Sequence, residues 1–310
     1  MLRSRYLLLF VLPAALLGQQ LTFATYQGGS GDEYTAGVAR DSLGNLYLAG
    51  ATTSTDFPVA SSAGGGFVVN LDANGNKLAA TLIPGANITA IAVDEGRFTR
   101  DQTIEVLPQD VVRNVSPIAV RWPAETSFRL DEMLELMVAQ SDNTAVETFF
   151  RMEGPAVTPR LRRWHIEGVR VDRPESQCNR NRQAGLKRYL NDPRDTGTPH
   201  GTVDLLARLF RGELLSASST ARMIEILKAT TTGPVRLKGL LPPGTVVAHK
   251  TGSSGVEQGM VAATNDSGVI FLPGGHRLAV SVYVKASTRS DAQRDSVIAR
   301  ISRAAFDAYA

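Results

Sequence analysis

The pattern of hydrophobic and polar positions changes along the chain near Glu95. Before this point, short β-prone runs lie between turn signals, which predicts a series of strands. The predicted strands are Thr22–Tyr26, Tyr34–Ala39, Leu46–Ala49 and Phe67–Leu71. Beyond Glu95, apolar residues recur at spacings of three and four, which predicts amphipathic helices. The chain is therefore expected to contain two regions of different architecture.

The second region predicts helices followed by a sheet. Apolar runs at Leu130–Val138 and Ala145–Phe149 predict two helices on either side of Ser141-Asp142-Asn143, where Asp142 is suited to cap the second helix. Further helices are predicted at Val203–Arg211, Ser219–Lys228 and Asp291–Asp307, and strands at Thr245–His249, Gly259–Thr264, Gly268–Leu272 and Leu278–Val284. This order predicts an α+β fold, in which an antiparallel sheet packs against the closing helix. The apolar stripe of that helix is assigned to Val297, Ile301, Ala304 and Ala308.

The N-terminal segment has the composition of an export signal. Arg3 and Arg5 precede an apolar run, Tyr6–Leu17, that is shorter than the ~20 residues of a membrane-spanning helix. We predict a signal peptide at residues 1–18, with an uncleaved N-terminal anchor as the alternative. After cleavage the protein is expected to be free of the membrane, in the periplasm or extracellular space of a bacterium.

Composition argues against several classes of function. The chain has 310 residues, 43% of them hydrophobic and 20% charged, which argues against a wholly disordered protein. Its 33 Lys and Arg against 30 Asp and Glu leave a net charge of +3, too weak to predict a nucleic-acid partner. The single cysteine, Cys178, excludes an intramolecular disulfide, and the four histidines show no metal-ligand spacing. No metal, cofactor or nucleic acid is expected.

Residues 21–94 contain an internal repeat, whose two copies begin at Ala24 and Ala80. This offset is typical of propeller blades. The segments Thr25–Asp32, Gly44–Gly50 and Asp56-Phe57-Pro58 resemble the SBBP-type β-propeller repeat. A propeller closes with about four to eight blades, and this region holds one and a half. We interpret residues 21–94 as a fragment of a longer repeat array, and an adhesive or binding module is the alternative.

Two tripeptides carry the chemistry of the second region. Lys250-Thr251-Gly252 follows Ser141-Asp142-Asn143 in the chain, and Ser-Asp-Asn before Lys-Thr-Gly is the order found in penicilloyl-serine transferases. The segments Asp172–Asn179 and Asp192–Pro199 resemble the start and end of the Ω loop of class A β-lactamases. Residues 95–310 therefore resemble a class A serine β-lactamase. The resemblance implies a β-lactam as partner, β-lactam ring opening through a serine acyl-enzyme, and a monomer.

The resemblance also implies roles for the residues of both tripeptides. Ser141 would relay a proton to the departing lactam nitrogen, and Lys250 would supply the positive charge that favours this relay. The hydroxyls of Thr251 and Ser253 would hold the substrate carboxylate, and the Ser253 N–H would contribute to the oxyanion hole. Asn143 would bind the side-chain amide of the substrate. The alternative for Ser141-Asp142-Asn143 is a helix cap with no catalytic role.

The Ω-loop segments have implied roles as well. Glu175 and Asn179 would orient and deprotonate the hydrolytic water, and the alternative is that Glu175 is an exposed loop carboxylate. Arg173 and Asp195 would form an ion pair that ties the two ends of the loop together. The stretch from Glu175 to Asp195 is longer than is usual in the family.

The signature's first element, Ser-x-x-Lys, is missing from the sequence. The residues three positions before the six lysines are Asn74, Ala184, Glu225, Val235, Val247 and Val282. The family places this element ahead of Ser141, near Thr81, where the present chain has repeat sequence. We therefore expect an incomplete domain at 95–310, a poorly stable fold, and weak or no activity. The alternatives are a non-catalytic module for β-lactams or cell-wall peptides, an adhesive propeller fragment, and a gene fusion without selected function.

Overall fold

The computed structural model describes residues 92–310 and, ahead of them, the backbone of three strands. These are β1 (Glu33–Arg40), β2 (Leu46–Thr52) and β3 (Gly65–Leu71), which form an antiparallel sheet in that order. They confirm three of the strands predicted for the first region. The fourth, Thr22–Tyr26, and the predicted signal peptide lie outside the described residues. The chain divides into two compact units, Met1–Leu78 and Ala79–Ala310.

The second unit begins with a helical part. The short strands β4 (Thr103–Glu105) and β5 (Ser127–Arg129) pair with each other. The helices are α1 (Pro117–Arg121), α2 (Leu130–Ala139), α3 (Asn143–Glu153), α4 (Val157–Arg163), α5 (Glu175–Ala184), α6 (Leu186–Leu190), α7 (Pro199–Phe210) and α8 (Ala217–Lys228). Because α2 buries most of its side chains, it forms the centre of the hydrophobic core and packs against α3 and α8.

A sheet and a long helix complete the unit. The strands are β6 (Val247–Ser253), β7 (Val256–Glu257), β8 (Met260–Phe271) and β9 (Arg277–Ser287), and β8 pairs antiparallel with the other three. Helix α9 (Asp291–Tyr309) packs against β8 and β9. The result is the mixed helical and antiparallel architecture that the sequence predicts.

Two details of the sheet differ from the prediction. The sequence predicts separate strands at Gly259–Thr264 and Gly268–Leu272, whereas the structure has the single strand β8. Its polar centre, Asn265–Ser267, is buried and pairs with both neighbouring strands, so the polar side chains do not interrupt it. The predicted strand that ends at His249 continues to Ser253, because the ladder with β8 runs on through the Lys-Thr-Gly segment.

The apolar stripe assigned to the last helix is also wrong in part. Ile301 is buried, as predicted, but Ala304 and Ala308 are exposed and Val297 is only half-buried. The buried face of α9 contains Ile298, Ala299, Ile301, Ala305 and Phe306. Alanines fit either face of a helix, so their spacing did not identify the side that packs on the sheet.

Candidate active site

The loop between α2 and α3 presents Ser141 at a φ of 60°, in the left-handed region that non-glycine residues rarely adopt. The neighbouring Asp142 holds this conformation. One carboxylate oxygen accepts hydrogen bonds from the Ala145 N–H at 3.0 Å and the Ser116 hydroxyl at 2.8 Å. The other oxygen accepts the Ile118 N–H at 2.7 Å. Asp142 therefore caps α3, as predicted, and it also ties the Ser141 loop to α1.

Asn143, at the other end of the loop that carries Ser141, is fixed by two hydrogen bonds to the segment before α1. Its N–H donates to the Val115 carbonyl at 3.0 Å, and its side-chain amide donates to the Asn114 carbonyl at 2.8 Å. The amide oxygen remains available at the cavity, since Asn143 is one of the lining residues. A side chain held in this way can accept a hydrogen bond from a bound molecule.

Lys250 reaches from the middle of β6 to the Ser141 loop. Its Nζ donates to the Ser141 hydroxyl oxygen at 2.7 Å and to the Thr251 carbonyl at 2.7 Å. Removal of the ammonium group from water lowers the pKa of Lys250 to about 8, although the charge of Asp266 opposes this shift. The residue is therefore cationic near neutral pH and loses its proton more readily than an exposed lysine.

Glu175 opens α5 and lies close to Asn179. Its Oε1 accepts a hydrogen bond from the Asn179 amide at 3.0 Å, and the side chain is not exposed. Burial raises the pKa of Glu175, and the Asn179 hydrogen bond and the nearby charge of Arg182 oppose this rise. A carboxylate with a raised pKa is a better proton acceptor than an exposed one, which is what a general base needs.

A second glutamate, Glu147 of α3, supports the start of α5 and was not among the residues that the sequence singled out. One of its carboxylate oxygens accepts the Ser176 N–H at 2.6 Å, and the other accepts the Ser176 hydroxyl at 3.2 Å. Burial raises the pKa of Glu147 as well. Its position within an amphipathic helix carries no motif, so only the three-dimensional contact identifies it.

Arg173 and Asp195 form the ion pair that the resemblance implies. The Arg173 Nε donates to Asp195, whose other oxygen accepts the backbone N–H groups of Asp172 at 2.6 Å and of Arg173 itself at 2.9 Å. Asp192 adds a second carboxylate at 3.0 Å from the guanidinium. This cluster joins the two ends of the segment that carries Glu175.

The side chains of Thr251 and Ser253 meet a cation that the motifs did not indicate. Arg236 donates from Nη2 to the Ser253 hydroxyl at 2.7 Å, and its Nε pairs with Asp295 at 2.7 Å. The Thr251 hydroxyl lies 2.6 Å from that of Thr232. The loop after α8 thus brings the Arg236 guanidinium and the Thr232 hydroxyl beside the Thr251 and Ser253 hydroxyls of β6, and this set of donors suits a carboxylate.

All nine residues singled out in the sequence line one cavity of about 470 Å³. They are Ser141, Asn143, Arg173, Glu175, Asn179, Asp195, Lys250, Thr251 and Ser253. Apolar residues of α2 and α3, among them Val138 and Phe149, line the same cavity. A cavity of this size with a few convergent polar groups is typical of a small-molecule site. The chemical roles of the nine residues remain predictions.

Two further features of the described residues bear on the class of protein. Within 92–310 and the three strands before it, no group of three His, Cys, Asp or Glu side chains is placed to hold a metal ion. In that same part of the chain, none of the helices combines the length and the apolar character of a membrane span.

Comparisons with known families match both regions of the chain. The profile of the beta-lactamase enzyme family matches residues 84–309, and that of the SBBP beta-propeller repeat matches residues 22–58. Among solved structures, a beta-lactamase from Chitinophaga pinensis is 33% identical with a TM-score of 0.69, covering 79% of this chain and 90% of that one. The TLA-3 extended-spectrum beta-lactamase is 30% identical with a TM-score of 0.69, covering 78% and 88%.

Curated relatives agree with the structural matches. The extended-spectrum beta-lactamase PER-1 of Pseudomonas aeruginosa is 35% identical over 69% of this chain and 68% of its own length. Beta-lactamase VEB-1 of Pseudomonas aeruginosa is 32% identical over 70% of this chain and 72% of its own length. The chain therefore belongs to the beta-lactamase enzyme family, as a relative of the class A enzymes that carries an SBBP repeat ahead of the lactamase region.

Proposed function

We propose that residues 95–310 form a domain that binds β-lactams in this cavity and hydrolyses them weakly or not at all. The observation that carries the proposal is the 2.7 Å contact between Lys250 and Ser141, inside a cavity that also contains Glu175. None of the six lysines of the chain has a serine three positions before it. The groups around the reaction centre are therefore present without the serine and lysine that begin the reaction.

The binding half of the site supports the proposal. A β-lactam carries a carboxylate on its fused ring, and Lys250 and Arg236 supply positive charge beside the hydroxyls of Thr251 and Ser253. Hydrogen bonds between charged partners are about twice as strong as neutral ones, so this group is the anchor of the proposed ligand. Asn143 lies on the same cavity and accepts the N–H of the ligand's side-chain amide.

The catalytic half explains why turnover is expected to be low. Hydrolysis begins when a serine oxygen attacks the lactam carbonyl, which breaks the C–N bond and passes a proton to the departing nitrogen. In this proposal Ser141 and Lys250 deliver that proton, and Glu175 with Asn179 activates the water of the second step; the 2.7 Å contact between Lys250 and Ser141 supports the first of these roles. In a serine protease, loss of the nucleophile alone costs on the order of 10⁶ in turnover. We therefore propose a β-lactam-binding protein with at most residual hydrolysis.

The remaining parts of the chain have proposed roles as well. We propose that residues 1–18 are a signal peptide, that the protein is exported, and that residues 21–94 are a fragment of a propeller array joined to the lactamase domain. The SBBP match over residues 22–58 supports the last point.

Turnover, covalent capture and binding of the purified full chain test the proposal separately. We expect a chromogenic cephalosporin to be hydrolysed at close to the rate seen in a buffer blank that contains the same substrate concentration. Intact mass spectrometry should find no acyl adduct. Titration calorimetry with benzylpenicillin should still give saturable binding. Lys250→Met should weaken that binding at least tenfold, whereas Lys285→Met, which removes an exposed lysine of β9, should not change it.

Two outcomes would contradict the proposal. Turnover at the rate of an ordinary enzyme, about 1–10³ s⁻¹, or a stoichiometric adduct mapped to any serine, would refute the loss of acylation. Binding that is absent in the wild-type chain, or unaffected by Lys250→Met, would refute the role of the cavity.

A further inference from the structure

Arg182 is a buried cation of the candidate cavity that the family signature does not account for. It lies on α5, it is 7% exposed, and it lines the cavity. Within residues 92–310 its Nε–H has no hydrogen-bond partner, and none of the ion pairs in that range includes its guanidinium. A buried charge without a partner is costly, so its presence points to a group that binds there.

Each of the other two arginines that line the cavity has a carboxylate partner. Arg173 pairs with Asp195, and Arg236 pairs with Asp295. The acid whose charge acts on Arg182 is Glu175, but the Glu175 carboxylate takes its hydrogen bond from Asn179, and the two residues form no ion pair. Among the described lining residues, Arg182 is thus the arginine without a carboxylate partner, whereas Arg236 has Asp295 beside it and also faces the proposed ring-carboxylate anchor at Ser253.

The position of Arg182 places it along the same wall as the proposed carboxylate anchor. A Cβ atom on Gly255 would lie 3.0 Å from the Arg182 Nη2, so the guanidinium lies directly against this glycine. Gly255 follows Ser253, which accepts the Arg236 hydrogen bond, by two residues, or no more than ~7 Å of chain. Arg182 is therefore within reach of a ligand anchored at Ser253.

A second unpaired group lies on the other side of Ser253, where Asn265 of β8 pairs with Gly252 in the sheet. The Asn265 Oδ1 is buried, lines the cavity, and has no hydrogen-bond partner among the described residues. It is an acceptor, while Arg182 is a donor with positive charge. The wall therefore carries an unpaired acceptor beside Gly252 and, at Gly255, a cation that suits an acid group.

We propose that Arg182 is a specificity residue that binds a second carboxylate, located on the acyl side chain of a β-lactam whose ring carboxylate is held at Arg236 and Ser253. This inference rests on the proposed function of the cavity and adds the class of ligand that fits it. The guanidinium is a fork of donors that matches a carboxylate in two parallel hydrogen bonds. A dianionic β-lactam then satisfies the buried charge that a monoanionic one leaves unpaired.

Carbenicillin and benzylpenicillin test this assignment, because they differ by a single carboxylate on the side chain. We expect titration calorimetry on the full chain to give a Kd for carbenicillin at least tenfold below that for benzylpenicillin. Arg182→Gln should bring the two values within twofold of each other. Arg188→Gln, which removes an exposed arginine of the neighbouring α6, should keep the full preference.

The wild-type measurement alone is decisive, so a variant that fails to fold does not rescue the proposal. Equal Kd values for the two penicillins would overturn the role of Arg182 while leaving the proposed function intact. A preference for carbenicillin that survives Arg182→Gln would overturn it as well. If neither penicillin binds the wild-type chain, both the proposed function and this inference are refuted.

Discussion

Asp142 holds the Ser141 loop without itself lining the cavity, so its replacement tests how the site is built. The residue is fully buried, and its carboxylate accepts three hydrogen bonds, from the Ser116 hydroxyl and from the Ala145 and Ile118 N–H groups. Asp142→Ala removes all three acceptors at once. The Ser116 hydroxyl can still donate to the Thr144 hydroxyl at 2.8 Å, whereas the Ala145 and Ile118 N–H groups remain buried without the carboxylate that satisfies them.

The size of the effect follows from this count. A buried donor left without a partner costs about 1–3 kcal/mol, so the two N–H groups cost about 2–6 kcal/mol. Domains of ordinary stability unfold with a free energy of about 5–15 kcal/mol. We therefore expect Asp142→Ala to remove roughly 5 kcal/mol, which is enough to unfold a marginal domain. Asp142→Asn keeps one acceptor oxygen and should cost less.

Urea unfolding followed by tryptophan fluorescence measures this change. Trp122 and Trp164, the two tryptophans of the chain, both belong to the second unit and report on its transition. Asp307→Ala is the matched control, because Asp307 pairs with Arg303 on the exposed end of α9 and exposed ion pairs contribute little to stability. An Asp142→Ala midpoint equal to that of the control would refute the account of the loop.

Three further changes test the electrostatics of the cavity. Burial lowers the pKa of Lys250 to about 8, so its ammonium charge and benzylpenicillin binding should both decline as the pH rises through about 8. Titration calorimetry across that range should show a rising Kd for the wild type and a Kd that does not change with pH for Lys250→Gln. Burial raises the pKa of Glu175 above its value in the unfolded chain. The free energy of unfolding is therefore highest when Glu175 is protonated, and it falls as the pH rises through the folded pKa and the buried carboxyl ionises. Glu175→Gln should therefore melt higher than wild type at pH ~7 and equally at pH ~4, and a lower melting temperature at neutral pH would contradict this. Arg173→Met leaves the Asp195 carboxylate without its ion-pair partner and should cost about 3–5 kcal/mol in urea unfolding, whereas Arg194→Met on the exposed side of the cluster should leave the urea midpoint nearly unchanged.

The sequence predicted the architecture best in segments where a single local pattern, such as apolar periodicity or a helix cap, determines the secondary structure. The apolar periodicity of α2 and α3, the Asp142 cap and the hydrophobic last strand each follow from local rules, and each is present in the structure. The two tripeptides were also identified correctly as neighbours, because their order in the chain matches a known site. In the structure, Lys250 of one tripeptide lies 2.7 Å from Ser141 of the other.

The prediction failed where burial is decided by partners far away in the sequence. The polar centre of β8 favours a break between two strands, yet Asp266 is fully buried against His249 of β6, with side-chain atoms 2.9 Å apart. Ser267 is buried against Ser281 of β9 at 2.7 Å. Because each polar group is satisfied across the sheet, the strand continues, and no local pattern indicates that these partners exist.

Glu147, Arg236 and Arg182 escaped detection for the same reason. Each is a charged residue on a helix or in a loop, where a solvated side chain is the ordinary expectation. What distinguishes them is their surroundings: Ser176 for Glu147, Ser253 for Arg236, and the lack of a described partner for Arg182.

The groups proposed to bind the ligand are held in place by contacts that lie entirely within residues 92–310. Arg236 is oriented by Asp295, Lys250 by Ser141 and the Thr251 carbonyl, and the Ser141 loop by Asp142. None of these contacts involves a Ser-x-x-Lys segment, so under the proposed function the supports of the carboxylate anchor remain although the attacking hydroxyl is absent. We therefore expect ligand binding to be separable from acylation, and this is the physical reason to predict β-lactam capture with low turnover.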